Sequence, residues 1–178
     1  MVPNLRRRLR ANLAEFGQCL PETAMALQAA LPNSSATFCR GRWAMPTVGA
    51  SDAVRRPDPI GQTLFVLREM KSTIESGEPI ALCGIGDGYL AGALITFDIP
   101  VMIVEPDVAN VLAACCLHDF TGSDGAIRQF DWFVGEDWME QIHRAEMTAP
   151  KMCVRQHPDA AAIESNLQNL TREPLTCA

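Results

Sequence analysis

The stretch "IALCGIGDGYL", residues 80–90, constrains this chain more than any other. A short apolar run ends in Gly84, Gly86 and Gly88 and gives way to helix-forming residues. A continuous apolar run of this length, bounded by glycines, fits a strand covered on both faces. A second such run, "VMIVE", ends at Glu105, 21 positions after Gly84. Strand, glycine turn, helix, strand, acid is the order of a βαβ unit with a ligand at its first turn.

The remainder of the chain continues that rhythm. "DVANVLAACCLHDF" reads as a helix, "QFDWFVG" as a strand, "DWMEQIHRAE" as a helix, "KMCVRQ" as a fourth strand and "PDAAAIESNLQNLTRE" as a last helix. The predicted fold is α/β: a Rossmann-like parallel sheet of three or four strands with flanking helices, preceded by an N-terminal helical segment. That segment has helices over 4–16, with Asn4 as N-cap, and over 21–31, opened by Pro21 and closed by Pro32. Residues 36–48 carry a weak hairpin signal around "RGR". One amphipathic helix is expected over 60–76, burying Leu64, Leu67 and Ile74 with Phe65 and Met70 and stopped by Gly77. The expected division is a helical and hairpin segment over 1–58 and an incomplete nucleotide-binding domain over 59–178.

The glycine turn has two readings. In the functional one, glycine lets a ligand approach the backbone, and Glu105 accepts hydrogen bonds from ribose hydroxyls. In the structural one, the glycines only make a tight turn and Glu105 opens the next helix. The spacing is not Gly-x-Gly-x-x-Gly, and Asp87 inside the turn would repel a pyrophosphate. Both points suit a nucleoside of low charge, such as S-adenosylmethionine, better than a dinucleotide. After the third strand, Asp137 (or Glu136) stands where an acid can meet a base. Asp137 followed three residues later by Glu140 also makes a capping box, the favoured reading, though the roles can coexist. Tyr89 closes over the ligand or belongs to the core. The expected site is thus Gly84, Gly86, Asp87, Gly88, Tyr89, Glu105 and Asp137.

Other classes are disfavoured. The net charge of −6 argues against nucleic acid. The arginines at 6, 7, 8 and 10 read as the solvated face of a helix whose Leu5, Leu9 and Leu13 turn inward. No apolar run approaches the ~20 residues that span a bilayer, and no secretory h-region follows the basic start, so a cytoplasmic protein is expected. The seven cysteines are odd in number and form no Cys-x-x-Cys pair, which predicts small core residues and no metal. His118, His143 and His157 have no partner at metal or catalytic spacing.

"CGIGDGYLAGAL", "MIVEPDVANVLAACCLHD" and "FDWFVGEDW" together resemble the N-terminal Rossmann-like region of bacterial motility-associated-factor (Maf-type) glycosyltransferases. "LRANLAEFGQCLPETAMALQ" is similar to that family's opening helical segment, and "PDPIGQTLFVLREM" to the helix before its glycine strand. The family's transferase centre opens with a "GxGPSL"-type loop, which this sequence lacks. The resemblance therefore implies that family's N-terminal domain and carries no catalytic residues onto this chain; the expected ligand is S-adenosylmethionine, which the turn spacing suits, or a nucleotide sugar. More distantly, the first three βα units resemble class I S-adenosylmethionine-dependent methyltransferases, which is the alternative reading. Missing strands would leave an open sheet edge, inviting a protein partner or a second copy.

Overall fold

The computed structural model describes residues 3–34, 36–42, 45–48 and 58–170. Two helices, α1 (Pro3–Cys19) and α2 (Pro21–Ala30), lead into a single 3-10 turn over Leu31–Asn33. Strands β1 (Phe38–Arg40) and β2 (Pro46–Val48) pair antiparallel as a small hairpin. After α3 (Pro59–Glu69) and α4 (Lys71–Ser76) the alternating part begins: β3 (Ile80–Cys83), α5 (Tyr89–Leu94), β4 (Val101–Glu105), α6 (Val108–Leu117), α7 (Ala126–Gln129), β5 (Asp131–Val134), α8 (Trp138–Arg144), β6 (Met152–Arg155) and α9 (Ala160–Asn169).

The sheet has the order β5-β4-β3-β6 and is parallel throughout. Alternation along the strands supplies both faces. Ile80, Leu82, Val101, Ile103, Trp132 and Val134 face a core completed by Phe16, Leu27, Leu90, Leu94, Val111 and Phe120. Ala81, Cys83, Met102, Val104 and Phe133 face a second core closed by Trp138, Ile142, Ile163 and Leu167. The N-terminal helices therefore share one core with the sheet. Cys83, Cys115 and Cys116 are buried, and burial pushes their thiols up, Cys83's most of all through its contact with Cys153.

The differences from expectation have local causes. The helix expected over 60–76 is two helices, broken at the wholly buried Met70. Its second half ends at Gly77 in the left-handed region, as expected. The inward face runs through Pro59, Thr63, Val66, Leu67, Met70 and Ile74, so Leu64 and Phe65 lie off it, 62% and 65% exposed. Asn4 lies inside α1, which starts at Pro3, because proline is favoured in a first turn. Arg8 is not a solvated charge: its Nη1 donates to the Leu117 carbonyl at 2.8 Å, a cation at the C-terminus of α6.

One buried polar residue holds the two halves together. Asn12 is fully buried on α1. Its Nδ2 donates to the carbonyls of Cys115 and His118, at 2.9 and 2.8 Å, and its Oδ1 accepts from the Phe120 amide at 2.8 Å. The side chain thus satisfies the chain where α6 ends, which α6 cannot do for itself.

Candidate functional site

In a sheet of this order the sense in which successive strands are added reverses between β3 and β6. Ligands of open α/β sheets bind at the carboxyl ends of the two strands flanking such a reversal. Here β3 ends at Cys83, in register with Arg155 at the end of β6. The residues that follow each strand, Gly84–Gly88 and Gln156–His157, therefore meet above the sheet.

Gly84, Gly86 and Gly88 all take positive φ, at 99°, 55° and 82°. Gly84 shows why a side chain is excluded: an added Cβ would lie 2.7 Å from both the backbone nitrogen and the Cβ of His157. The loop is closed by the chain itself. The Gly84 amide donates to Val104 O at 2.8 Å, Ile85 to Glu105 Oε2 at 3.0 Å, and Gly88 to Ile85 O at 3.1 Å. Three of the amides that could cradle a phosphate are thereby engaged.

Glu105 is at the tip of β4, as the spacing predicts, but it is 0% exposed. It accepts from the Ile85 and Asp107 amides, each at 3.0 Å, and from Asn110 Nδ2 at 3.2 Å. His157 Nε2 lies 3.6 Å from its Oε1, and His157 Nδ1 accepts from the Asp159 amide at 3.1 Å. The carboxylate is a clasp joining the glycine turn, the β4–α6 turn and the β6–α9 turn. The imidazole, itself only 12% exposed, stands directly beside the carboxylate. His157, read from the sequence as a loop residue, is part of that clasp.

Asp87 and Tyr89 hold the hairpin. Asp87 Oδ1 accepts from the Val48 amide at 2.9 Å, and Tyr89 Oη donates to Pro46 O at 2.7 Å. Burial pushes the Asp87 carboxyl above its usual range, against the lowering effect of the Val48 bond. The Tyr89 ring stands edge-on to His118, with centroids 4.4 Å apart. Burial also holds His118 down to about 4, and its Nε2 has no partner among the described residues.

Asp137 is elsewhere. It precedes α8 as expected, but its Oδ1 takes the Gln141 side-chain amide at 2.8 Å and caps no backbone amide. The expected capping box is therefore not formed. Glu136 lines a separate hollow of about 430 Å³ beside Asp107 and Val108.

A cleft of about 650 Å³ opens at the reversal point. It is lined by Asp58 and Phe65 from α3 and its cap, by Gly86, Asp87 and Tyr89, and by Arg155 and Gln156. The structure thus brings three expected site residues, Gly86, Asp87 and Tyr89, into one cavity. Gly84, Gly88, Glu105 and Asp137 do not line it. Asp58, Arg155 and Gln156 went unread in the sequence, and Phe65 was read as core. The register of the fourth strand with the first is the signal that places Arg155 and Gln156. No cluster of His, Cys, Asp and Glu able to hold a metal occurs among the described residues. No helix of the described residues is long and apolar enough to cross a membrane.

No family profile matches the chain, and no curated protein matches it significantly. Among solved structures it is similar to the Maf glycosyltransferase from Magnetospirillum magneticum AMB-1, at 14% identity and a TM-score of 0.58. The match covers 94% of this chain and 35% of that one, so the chain spans about a third of the solved protein's length. At this identity the likeness is one of fold. The methyltransferase alternative finds no support in these comparisons. The architecture observed is thus the α/β one expected, a distant structural relative of part of a Maf glycosyltransferase.

Proposed function

We propose that this chain is a nucleotide- or nucleoside-binding module of the Rossmann-like class, associated with glycosyl transfer. The observation behind this reading is the position of the 650 Å³ cleft at the point where the strand order reverses. Gly86 keeps one wall at backbone height, Tyr89 and Phe65 give ring surface, and Asp87, Arg155 and Gln156 supply polar groups. The fold likeness to a glycosyltransferase favours a nucleotide sugar or a part of one over S-adenosylmethionine.

The test is a thermal-shift screen of the purified chain against S-adenosylmethionine, S-adenosylhomocysteine, CMP-linked sugars and UDP-linked sugars. A ligand at 100 times its dissociation constant adds about 2.7 kcal/mol. For a chain of this size that is a rise of roughly 5–10 °C. Amide shifts confined to Gly86, Asp87 and Gln156 in a ¹⁵N-labelled sample are the expected footprint. A folded sample silent to the whole panel refutes the reading.

A second reading is a protein-docking module without ligand. It is favoured by Ile60, Leu64 and Phe65 on α3, which are 37%, 62% and 65% exposed. Silence to ligands together with concentration-dependent self-association, abolished by Leu64→Glu, would select it.

A further inference from the structure

The cleft's chemistry restricts what part of a ligand it can hold. This inference rests on the ligand-binding reading above. Three arguments converge. First, three of the turn's amides, those of Gly84, Ile85 and Gly88, donate to Val104 O, Glu105 Oε2 and Ile85 O, which leaves only the Gly86 and Asp87 amides of the turn, beside the Asp87 carboxylate itself, for phosphate oxygens. The helix that follows is only six residues long, and the start of α3 is already capped by Asp58, whose Oδ1 accepts from Gly61 N at 2.9 Å.

Second, the charges in the cleft are compensated except for one. Asp58 Oδ2 is 3.4 Å from Arg42 Nη1. Arg155 Nε is 2.7 Å from Glu164 Oε2. The Asp87 carboxylate pairs with no cation among the described residues, and its side chain's one hydrogen bond to them is from an uncharged amide, Val48 N–H, at 2.9 Å. A diphosphate entering the cleft would meet a carboxylate in a half-buried place, where repulsion is weakly screened.

Third, the unused groups suit hydroxyls. One oxygen of Asp87 and the whole Gln156 side-chain amide bond to no described residue, giving acceptors and a donor in one cavity. Phe65, 65% exposed, stands at the same cavity with no ring partner among the described residues. Ring face plus carboxylate plus amide is the equipment for a flat or pyranose ring carrying adjacent hydroxyls.

We propose that the cleft binds an unphosphorylated ring bearing a vicinal diol, with Asp87 and Gln156 on the hydroxyls and Phe65 against the ring, and that it rejects a diphosphate. Two sources share this chemistry: the ribose of a nucleoside and a free sugar.

The experiment is calorimetric titration of the intact chain with adenosine, uridine, N-acetylglucosamine, UDP and UDP-N-acetylglucosamine, repeated with Asp87→Asn and Phe65→Ala. Asp87→Asn keeps an oxygen for the Val48 amide, and Phe65 is a surface residue, so both variants are expected to fold. The expected result is binding of at least one uncharged probe, nucleoside or sugar naming the source, with UDP roughly tenfold or more weaker than uridine. Asp87→Asn weakens the uncharged probe by roughly tenfold and narrows the gap to UDP. Phe65→Ala weakens it severalfold. UDP or its sugar binding as tightly as uridine, or more so, overturns the diphosphate exclusion while leaving the nucleotide-binding reading intact. Unchanged affinity in both variants overturns the assignment of these residues. Silence of the wild-type chain to all five probes sinks the ligand-binding reading, and this inference with it.

Discussion

Replacing Glu105 with alanine separates the two roles available to this carboxylate, ligand contact and internal clasp. The side chain is fully buried and accepts three hydrogen bonds, from Ile85 N, Asp107 N and Asn110 Nδ2. Truncation leaves these donors facing a void. A buried donor left unpaired costs about 1–3 kcal/mol, toward the upper end when its acceptor was charged. Asp107 and Asn110 are partly solvated and recover some of that from water, so the expected loss is about 3–6 kcal/mol. Against a total stability of about 5–15 kcal/mol that is a large share. In a chain of 178 residues it lowers the melting midpoint by on the order of 10 °C or more. Urea unfolding followed by tryptophan fluorescence measures it, since Trp132 is buried and packs edge-on against Phe16 with centroids 5.1 Å apart. The denaturant slope should not change, because the surface exposed on unfolding does not. Glu105→Gln should fall between the two proteins: it keeps the shape but turns one acceptor into a donor facing other donors. A Glu105→Ala protein within about 1 kcal/mol of wild type, yet impaired in ligand binding, would refute the clasp and restore the ribose contact.

Three further outcomes are expected. Gly84→Ala should cost about 2–4 kcal/mol, because φ is 99° and the new methyl meets the His157 backbone; chemical denaturation reads this, and amide exchange at Gln156 should accelerate. Asn12→Ala should cost about 2–4 kcal/mol by stranding the Cys115 and His118 carbonyls and the Phe120 amide, while Arg7→Ala on the same helix, at an exposed site, should cost under about 0.5 kcal/mol. The third concerns pH. Burial lowers His118 from its ordinary 6.5 to about 4 in the folded chain. Because the unfolded chain takes up the proton first, stability should be flat above about pH 6.5 and fall by on the order of 3 kcal/mol as pH drops from there toward 4. A His118→Asn protein whose stability between pH 6.5 and 5 falls as steeply as wild type would show that another group is responsible.

The alternation of runs was enough to read the parallel sheet, since strands buried on both faces leave continuous apolar stretches such as 80–83 and 101–105. The βα turn was legible for the same reason, its glycines marking the end of the first run. The fate of Glu105 was not. Spacing places a carboxylate at a strand tip, but whether its oxygens face a ligand or the protein depends on what the fourth strand brings beside it. His157 and Gln156 lie 52 and 51 positions further along, and only strand order makes them neighbours. Leu64 and Phe65 were misread because 60–76 carries more apolar residues than one face can bury: Val66, Leu67, Met70 and Ile74 take the inward side, and Leu64 and Phe65 fall beside it. Asn12 gave no signal, because a lone asparagine on an arginine-rich helix looks like any surface residue.

The attachment of α1 to the end of α6 has a consequence during synthesis. Asn12 and the groups it bonds are separated by 103 to 108 positions. At a translation rate of roughly 5–20 residues per second, the first helix leaves the ribosome on the order of 5–20 s before its docking surface exists. Through that interval Phe16 and Leu27, both fully buried in the finished fold, have no sheet to cover them. A short helix without tertiary contacts is marginal in water. The nascent chain is therefore most prone to self-association, and most in need of a chaperone, before residue 120 emerges.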